Sequence, residues 1–369
     1  MTGNVIKRSW LHRVVEFFGP QWFGSTMGIG ALGVALSLLA SQLELPVVRD
    51  AALLVVLFTI GLTGLYTVPW LLRFWLYPDR VRHDLTHPIR SQFFPTMPIT
   101  LLVIGIGVKQ TMGGVLPASV LDALVLGLFG VGSLGIVLFG FLVVSIMFTN
   151  DEIEAKHGVF AWYIPPVSHL IIPLLGFLLI ESAYAGTATG RLLFVVSMIG
   201  LGVGLFMFLF FGAIVLYRYA YETLPRAKLA PTFVIGLAPT SVLVIDIGRL
   251  VRALKAGVGF DIALAPLLPA LKLLATLLWG FSAWWFVLTA AIVLYYVRKH
   301  EHPFFFTWWA YTFPVGAFAI STGVLSHLLS LHALTYVFAA VTAVLVVACT
   351  VTTLLTGRMV IRGHAFAPE

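Results

Sequence analysis

The sequence predicts an all-α integral membrane protein with ten transmembrane helices. Sixty percent of its 369 residues are hydrophobic, only 10% are charged, and the mean hydropathy is +1.02. Ten apolar windows are long enough to cross a bilayer, which takes about 20 residues. Proline falls inside every second window and is rare in the windows between. So few charges do not suffice for a soluble surface, which excludes a soluble globular class.

The ten windows divide the chain into one membrane domain with two short ends. Their bounds are about 20–41, 51–72, 95–114, 120–147, 159–182, 191–217, 232–254, 268–297, 304–329 and 333–356. The transmembrane domain is therefore expected at 20–357, after a cytoplasmic interfacial helix within 1–19 and before a cytoplasmic tail at 358–369. The loops leave no room for an extramembrane domain.

The N-terminal stretch has the pattern of an amphipathic helix. A helix from Ile6 to Phe18 would place apolar residues on one face and mostly charged residues on the other. The apolar set is Ile6, Trp10, Val14, Phe17 and Phe18, and the polar set is Lys7, Arg8, His12, Arg13 and Glu16. Such a helix lies in the membrane interface with its apolar face toward the lipid.

The proline-containing windows are the odd-numbered ones, which begin near Pro20, Pro95, Val159, Pro231 and Pro303. Proline interrupts the helix hydrogen-bond ladder, and a bilayer tolerates the break only where protein or water satisfies the freed groups. We therefore expect the odd-numbered helices to be bent and to line a central pore, with the straighter helices outside. The expected bends are at Pro98, Pro165, Pro173, Pro239 and Pro314.

Lys and Arg are distributed unevenly along the chain. Of the 22, 15 lie near the two termini and in the loops near 73–94, 148–158, 218–231 and 298–303. The positive-inside rule then places both termini in the cytoplasm. Orientation and anionic lipid account for the net charge of +7, so no nucleic-acid partner is predicted. The single cysteine, Cys349, excludes an intrachain disulfide.

Four segments carry a resemblance to a known family. They are FGPQWFGSTMGIG at 18–30, HP at 87–88 with FFPTMP at 93–98, PTFVIGLAP at 231–239, and FTWWAYTFPVG at 306–316. Together they resemble the tellurite-resistance/dicarboxylate transporter family, over about residues 18–356. This family includes yeast malate permeases, fungal sulfite efflux pumps, bacterial tellurite-resistance channels and plant slow anion channels. The His-Pro pair is closer to the dicarboxylate branch.

The resemblance implies ten helices in five quasi-repeated hairpins around one pore per protomer, usually in a homotrimer of the plasma membrane. In the plant and bacterial channels the phenylalanine of the matching Thr-Phe-Pro element is the pore gate, which assigns that role to Phe313. A bulky ring at a constriction can close a pore sterically and by dewetting. The alternative is that Phe313 packs inside the bundle as most aromatic residues do.

Small and hydroxylated residues recur on the odd-numbered helices, where they either line the pore or allow close helix packing. The candidates for pore lining are Gly24, Ser25, Thr26, Thr240, Ser241, Thr312 and Ser321. Hydroxyl groups and exposed backbone amides could bind an anion weakly enough to release it. Glycine alone does not mark the pore, because Gly200, Gly202 and Gly204 lie on an even-numbered helix.

Ionisable residues within a span are costly and are candidate site residues. Lys109 either presents its charge to an entering anion or extends to the outer interface. Asp246 and Arg249 are three residues apart and are expected to pair on one helix face. If Arg249 also reaches the pore, its planar guanidinium suits a carboxylate. His169 in the fifth span either couples protons to transport or is a hydrogen-bonded core residue.

Cofactor and enzyme chemistry have little support in the sequence. His83 and His87 have the spacing of a metal pair, but nearby prolines and the lack of a third ligand argue against a metal site. No Gly-rich phosphate loop and no His-Glu-x-x-His run occurs, so no cofactor is expected. The ionisable residues in the spans are scattered, which makes an intramembrane enzyme a minor alternative.

The function expected from the sequence is an anion channel or transporter that moves C4-dicarboxylates such as malate, or small anions, across the membrane. Three alternatives share the fold: a sulfite channel, a chloride, nitrate or tellurite-linked channel, and a proton-coupled dicarboxylate symporter. The expected partners are a small anion and the lipid bilayer.

The distribution of basic residues generates a testable topology. With Cys349→Ala as background, single cysteines near residues 5 and 364 should react only with membrane-permeant thiol reagents in intact cells, because both termini are expected inside. Labelling of either site by an impermeant reagent added outside would overturn this topology.

Overall fold

A computed structural model describes residues 10–299 and 301–366, and within them the chain forms helices and loops without strands. Ten helical spans in this part of the chain are long and apolar enough to cross a membrane. The predicted all-α class and the ten spans are confirmed. Residues 1–9 of the predicted interfacial helix, and the end of the predicted tail, lie outside the described residues.

Twelve α-helices follow one another along the described chain. Their bounds are α1 Trp10–Phe17, α2 Phe23–Leu43, α3 Pro46–Leu76, α4 Pro78–Thr86, α5 Thr96–Thr111, α6 Ala118–Thr149, α7 Ile164–Leu179, α8 Ala188–Tyr221, α9 Ala238–Ala256, α10 Leu264–Arg298, α11 Phe313–Leu329 and α12 Ala333–Ile361. A short 3₁₀ segment precedes each of α2, α5, α7, α9 and α11. These segments are Pro20–Trp22, Arg90–Phe93, Phe160–Tyr163, Ala227–Leu237 and Phe306–Tyr311.

Burial separates the ten spans into two classes. In the most hydrophobic 18 residues of the spans that contain α2, α5, α7, α9 and α11, 78–100% of the residues are buried. In the spans of α3, α6, α8, α10 and α12 the share is 17–33%. We call the first set the inner helices and the second the outer helices. The inner set coincides with the proline-containing, odd-numbered windows.

The inner helices form a closed ring. Helix α2 packs against α5, α5 against α7, α7 against α9, α9 against α11, and α11 against α2. Each outer helix packs against the inner helix that precedes it in the chain, as in α2 with α3 and α7 with α8. One large hydrophobic core runs through the ring and its contacts with the outer helices.

The prolines expected to bend helices mostly begin them. Pro165, Pro239 and Pro314 are the second residues of α7, α9 and α11, and Pro98 is the third residue of α5. Proline is tolerated there because first-turn N–H groups have no partner within the helix. Only Pro173 lies within a helix interior, in α7. The break in each of these four inner helices is therefore mainly a junction between 3₁₀ and α geometry.

The N-terminal helix α1 departs from the simple interfacial picture. The sequence placed Glu16 on the polar, outward face, but Glu16 is buried. Its carboxylate accepts a hydrogen bond from Arg80 at 3.0 Å, and its carbonyl accepts one from Arg73 Nε at 3.1 Å. Trp10 is half exposed. These contacts join α1 to α3 and α4, because a buried carboxylate requires a cation or donor.

Glycine permits close approach between helices at several positions, and two of them illustrate it. Gly316 of α11 lies against Ala31 of α2, and Gly204 of α8 lies against the backbone and side chain of Leu170 in α7. A Cβ at Gly204 would lie under 3.0 Å from backbone and side-chain atoms of Leu170. Gly202, two residues earlier, has no atom within 4 Å of the equivalent position.

The two glycines give a matched pair of substitutions. We expect Gly204→Ala to destabilise the fold by about 1–3 kcal/mol, because the added methyl group forces α8 away from α7. Gly202→Ala adds the same methyl group to the same helix without a contact, so its stability should be unchanged or slightly higher. Thermal unfolding in detergent, followed by gel filtration, measures both. An equal loss for the two variants would contradict this packing.

Candidate functional site

The five inner helices meet around one cavity of about 40 Å³, which we call the central cavity. Every inner helix contributes to its wall. The lining residues are Ala31, Val34, Val103, Ile106, Ile171, Leu174, Val242, Ile245, Arg249, Phe313, Ala317 and Ile320. Eleven of these twelve side chains are apolar, and the exception is Arg249. The site is thus an aliphatic chamber with one cation.

Phe313 lies at the end of the cavity where the inner helices begin. Thr312 packs against Gly28 so closely that a Cβ on Gly28 would meet its hydroxyl. One turn earlier on α2, Gly24 is buried and yet has no atom within 4 Å of a Cβ position. Gly24 shares a helix face with Ala31 of the cavity wall, because seven residues make about two turns. Phe313 therefore lies between open space at Gly24 and the central cavity.

The position of Phe313 follows from its local sequence. It is the first residue of α11, directly before Pro314, and only 6% of it is exposed. Thr312 donates its hydroxyl to the Trp309 carbonyl at 2.7 Å and thereby closes the preceding 3₁₀ segment. Trp309 Nε1 in turn donates to Thr356 of α12 at 3.0 Å. These bonds fix the junction from which the ring of Phe313 projects.

Arg249 lies at the opposite end of the cavity. Gly248 packs against Val324 of α11, which places Arg249 at the height of Val324. Val324 follows Phe313 by eleven residues, so the backbone levels of Phe313 and Arg249 differ by about 17 Å at 1.5 Å per residue. The side chain of Arg249 is 11% exposed. Positive charge is thus available at one end of the chamber and an aromatic ring at the other.

Glu181 forms an ion pair with Arg249. The sequence analysis did not predict this pair. Arg249 Nη1 lies 3.4 Å from Glu181 Oε2, and Arg252 Nη1 lies 4.0 Å from Glu181 Oε1. Glu181 belongs to a π-helical turn, Ile180–Tyr184, that continues α7. The side chains of Glu181 and Arg252 are 31% and 34% exposed. A carboxylate therefore bridges two guanidinium groups at the C-terminal end of the inner helices.

The expected pair of Asp246 and Arg249 is not formed. Asp246 is 1% exposed, and neither of its carboxylate oxygens has a hydrogen-bond partner in the described structure. Arg249 continues the cavity-facing series of Val242 and Ile245, whereas Asp246 is rotated about 100° from Ile245. Spacing along a helix made the pair possible, but the rotation of α9 directs Arg249 to the cavity and to Glu181.

Two other predicted site residues face away from the cavity. His169 is displaced by two residues from Ile171 on the cavity wall, which turns it toward Gly140 of α6. Its Nδ1 lies 2.9 Å from the Pro165 carbonyl. Lys109 forms an ion pair with Asp122 of α6. Neither side chain lines the cavity, so each is explained by the helix packing of its own neighbourhood.

The predicted hydroxyl lining is also absent from the cavity wall. Thr240 and Ser241 bind Ser282 of α10 at 2.8 and 3.2 Å, which ties an inner helix to an outer one. Four other hydroxyl groups donate to carbonyls three residues earlier in their own chain segment: Ser25 to Trp22, Thr26 to Phe23, Thr312 to Trp309 and Ser321 to Phe318. Of the predicted lining set, Arg249 alone lines the cavity, and Gly24 borders the open space beyond Phe313.

The aliphatic wall residues and Glu181 are the site residues that sequence reasoning missed. A periodic signal for α9 existed, since Val242, Ile245 and Arg249 lie on one helix face. Nothing in the sequence distinguishes such residues from lipid-facing ones of the same type. Among residues 10–299 and 301–366 no cluster of three or more His, Cys, Asp or Glu residues could hold a metal ion.

Comparisons with known proteins agree with this architecture. A family model described as SLAC1, voltage-dependent anion channel, matches residues 17–357. An uncharacterized transporter of Methanocaldococcus jannaschii is 30% identical over 330 residues, 88% of each chain. A second transporter of that organism is 30% identical over 324 residues, 88% of this chain and 89% of its own. A sulfite efflux pump of Trichophyton rubrum is 24% identical over 327 residues, 84% of this chain and 81% of the pump.

The fold and the central cavity define a multi-pass membrane protein built around an internal chamber. The chain belongs to the SLAC1 family of membrane anion channels and transporters. Its class is therefore transport and not enzymatic catalysis. The substrate class is a small anion, and the family resemblance seen in the sequence is confirmed.

Proposed function

We propose that small inorganic oxyanions such as sulfite cross the membrane through the central cavity, with Phe313 as the gate and Arg249 as the anion-attracting group. The observation that carries this proposal is the convergence of all five inner helices on one chamber that has Phe313 at one end and the cation at the other. Ion movement along the axis of a closed ring requires no rearrangement of the outer helices.

The gate assignment rests on position and chemistry. Phe313 lines one end of the central cavity, and its neighbours in the wall, Ala317 and Ile320, are apolar. A phenyl ring in such a constriction excludes water as well as ions. Rotation of this one ring would open its end of the cavity, whereas Pro314 would keep the start of α11 in place.

The chemistry of the wall favours weak binding and rapid release. Aliphatic side chains offer an anion no hydrogen bonds, so attraction must come from Arg249 and from the field of the helix ends. No lining side chain exchanges a proton near neutral pH, and His169 faces α6 instead. This lining therefore supports downhill movement of the anion over proton-coupled symport.

The number of cations bears on which anion is carried. The cavity wall holds one guanidinium, which suits one carboxylate or one compact oxyanion. The second carboxylate of a C4-dicarboxylate would find only aliphatic neighbours along the wall. The sulfite efflux pump among the relatives supports the compact anion. Malate is the alternative substrate, and it is compared with the small anions in the flux assay described below.

We also propose that the protein works in the plasma membrane as a homotrimer with both termini in the cytoplasm. The basic residues at the termini and in the loops on that side support the orientation. The trimer is supported by the family resemblance of the four sequence segments. Each protomer would then contain its own passage.

Truncation of the gate tests the proposal. We expect Phe313→Ala to raise basal anion conductance in proteoliposomes, measured separately with sulfite, nitrate, chloride and malate, because it removes the ring and leaves Pro314. Phe304→Ala and Phe305→Ala, in the loop before the same helix, are size-matched controls that should leave conductance unchanged.

The Phe313 ring also packs in the core, so its loss could cost a few kcal/mol of stability. Gel filtration therefore precedes the flux measurement. A folded Phe313→Ala protein with parental conductance would place the constriction elsewhere.

Neutralisation of Arg249 and neutralisation of Lys109 should have different effects on anion flux. We expect Arg249→Gln to reduce anion flux about tenfold at low concentration, equivalent to about 1.4 kcal/mol of lost attraction. Lys109→Gln should leave flux near the parental level, because Lys109 pairs with Asp122 outside the cavity. Concentration-dependent flux of folded variants measures both. A larger effect of Lys109→Gln than of Arg249→Gln would move the anion site away from the central cavity.

A further inference from the structure

We propose that Glu181 is a displaceable counter-ion that occupies Arg249 between transport events and sets the apparent affinity for the transported anion. This inference rests on the proposed anion pathway. It assigns to this chain a built-in competitor: an anion that reaches Arg249 must first replace the carboxylate of Glu181.

The geometry of the three residues fits an exchange of partners. Glu181 has one oxygen 3.4 Å from Arg249 and the other 4.0 Å from Arg252. A close, charge-assisted hydrogen bond spans about 2.7–2.9 Å, so neither contact is at the distance of a strong bond. The two arginines are three residues apart on α9 and therefore on neighbouring turns. Glu181 can leave Arg249 and remain with Arg252 by rotation of its side chain alone.

The backbone around this trio is held in place. Gly186 N–H donates to the Gly257 carbonyl at 2.9 Å, which joins the turn after Glu181 to the end of α9. Both glycines have positive φ, +69° and +106°, a region that other residues rarely adopt. The π-helical turn of Glu181 is thus tied to the helix that carries both arginines. Any exchange of partners is a side-chain event.

The exposures indicate which member meets an anion and which remains in solvent. Arg249 is 11% exposed and lines the cavity, whereas Arg252 is 34% exposed and lies outside it. An oxyanion in the cavity offers Arg249 the same type of acceptor as Glu181 does. Glu181 gains a more solvated partner in return. Without the carboxylate, Arg249 would bind the anion without a competitor and slow its release.

The summed charge of Arg249, Arg252 and Glu181 changes when an anion binds or when Glu181 is replaced. Two arginines and one glutamate carry a net charge of +1, and a bound monovalent anion brings it to zero. Glu181→Gln would leave +2 in the empty protein and +1 with the anion bound. The anion would then bind more tightly and leave more slowly, which is unfavourable for conduction.

Concentration-dependent flux of nitrate and sulfite in proteoliposomes tests this inference. We expect Glu181→Gln to lower the half-saturating concentration about two- to fivefold, the range of partly exposed ion pairs, and to lower maximal flux. Arg252→Gln removes the alternative partner of Glu181 and should raise the half-saturating concentration. Asp261→Asn, which removes one exposed charge from the loop after α9, controls for surface potential and should leave it unchanged.

A double variant separates displacement from general electrostatics. In an Arg249→Gln background, Glu181→Gln should no longer change the half-saturating concentration, because there is no cation in the cavity to release. An equal shift with and without Arg249 would overturn the displacement. So would an unchanged half-saturating concentration in folded Glu181→Gln protein, or shifts in the same direction for Glu181→Gln and Arg252→Gln.

The measurements distinguish failure of the proposed anion pathway from failure of the displacement of Glu181. If Arg249→Gln leaves flux unchanged, the proposed pathway fails and the role of Glu181 fails with it. If Arg249→Gln reduces flux but Glu181→Gln has no effect on half-saturation, only the displacement is wrong. Gel filtration of each variant precedes the flux measurement, and Glu181→Asp, which retains the charge on a shorter side chain, gives a second reading with a smaller shift.

Discussion

The architecture depends on one constraint: within a bilayer, every backbone polar group must find a partner in protein or water. Five spans of this chain begin with a 3₁₀ segment, and several of these junctions contain proline, as at Pro239 and Pro314. Such junctions leave backbone groups without helical partners and cannot face lipid. The five helices that carry them therefore pack against one another as a closed ring, and the helices without a 3₁₀ start cover the outside.

Sequence reasoning predicted which helices lie inside but not which side chains line the cavity. Pro231 and Pro314 mark the starts of their spans because proline lacks an N–H and is accepted where that group has no helical partner. Lining depends on helix rotation, which hydrophobicity does not reveal when both faces are apolar. Val242 and Ile245 resemble lipid-facing residues for this reason. The partner of Arg249 was also hidden, since Glu181 lies 68 residues earlier in the chain.

In the pathway that we propose, the two ends of the cavity contribute differently to anion passage. An aliphatic wall provides little to compensate an anion for lost water, so passage would depend on hydration and on how long the proposed gate, the ring of Phe313, is displaced. In the same proposal Arg249 would influence the arrival of the anion, because its charge would act where the anion enters or leaves. The rate of opening and the affinity for the anion can therefore vary independently.

Apart from the pair of Arg249 and Glu181, the polar contacts described above that join the helices lie away from the chamber. Thr240 and Ser241 bind Ser282 on the outside of the ring, and Thr26 binds Thr100 between two inner helices at 3.1 Å. Apart from Arg249, the wall residues contribute only apolar packing. Mutation can thus change the chamber without breaking a structural hydrogen bond, as long as volume is conserved. Over evolutionary time such a protein can change the anion that it transports through substitutions at a few aliphatic wall positions. Selection on the hydrogen bonds that join its helices stays unchanged meanwhile.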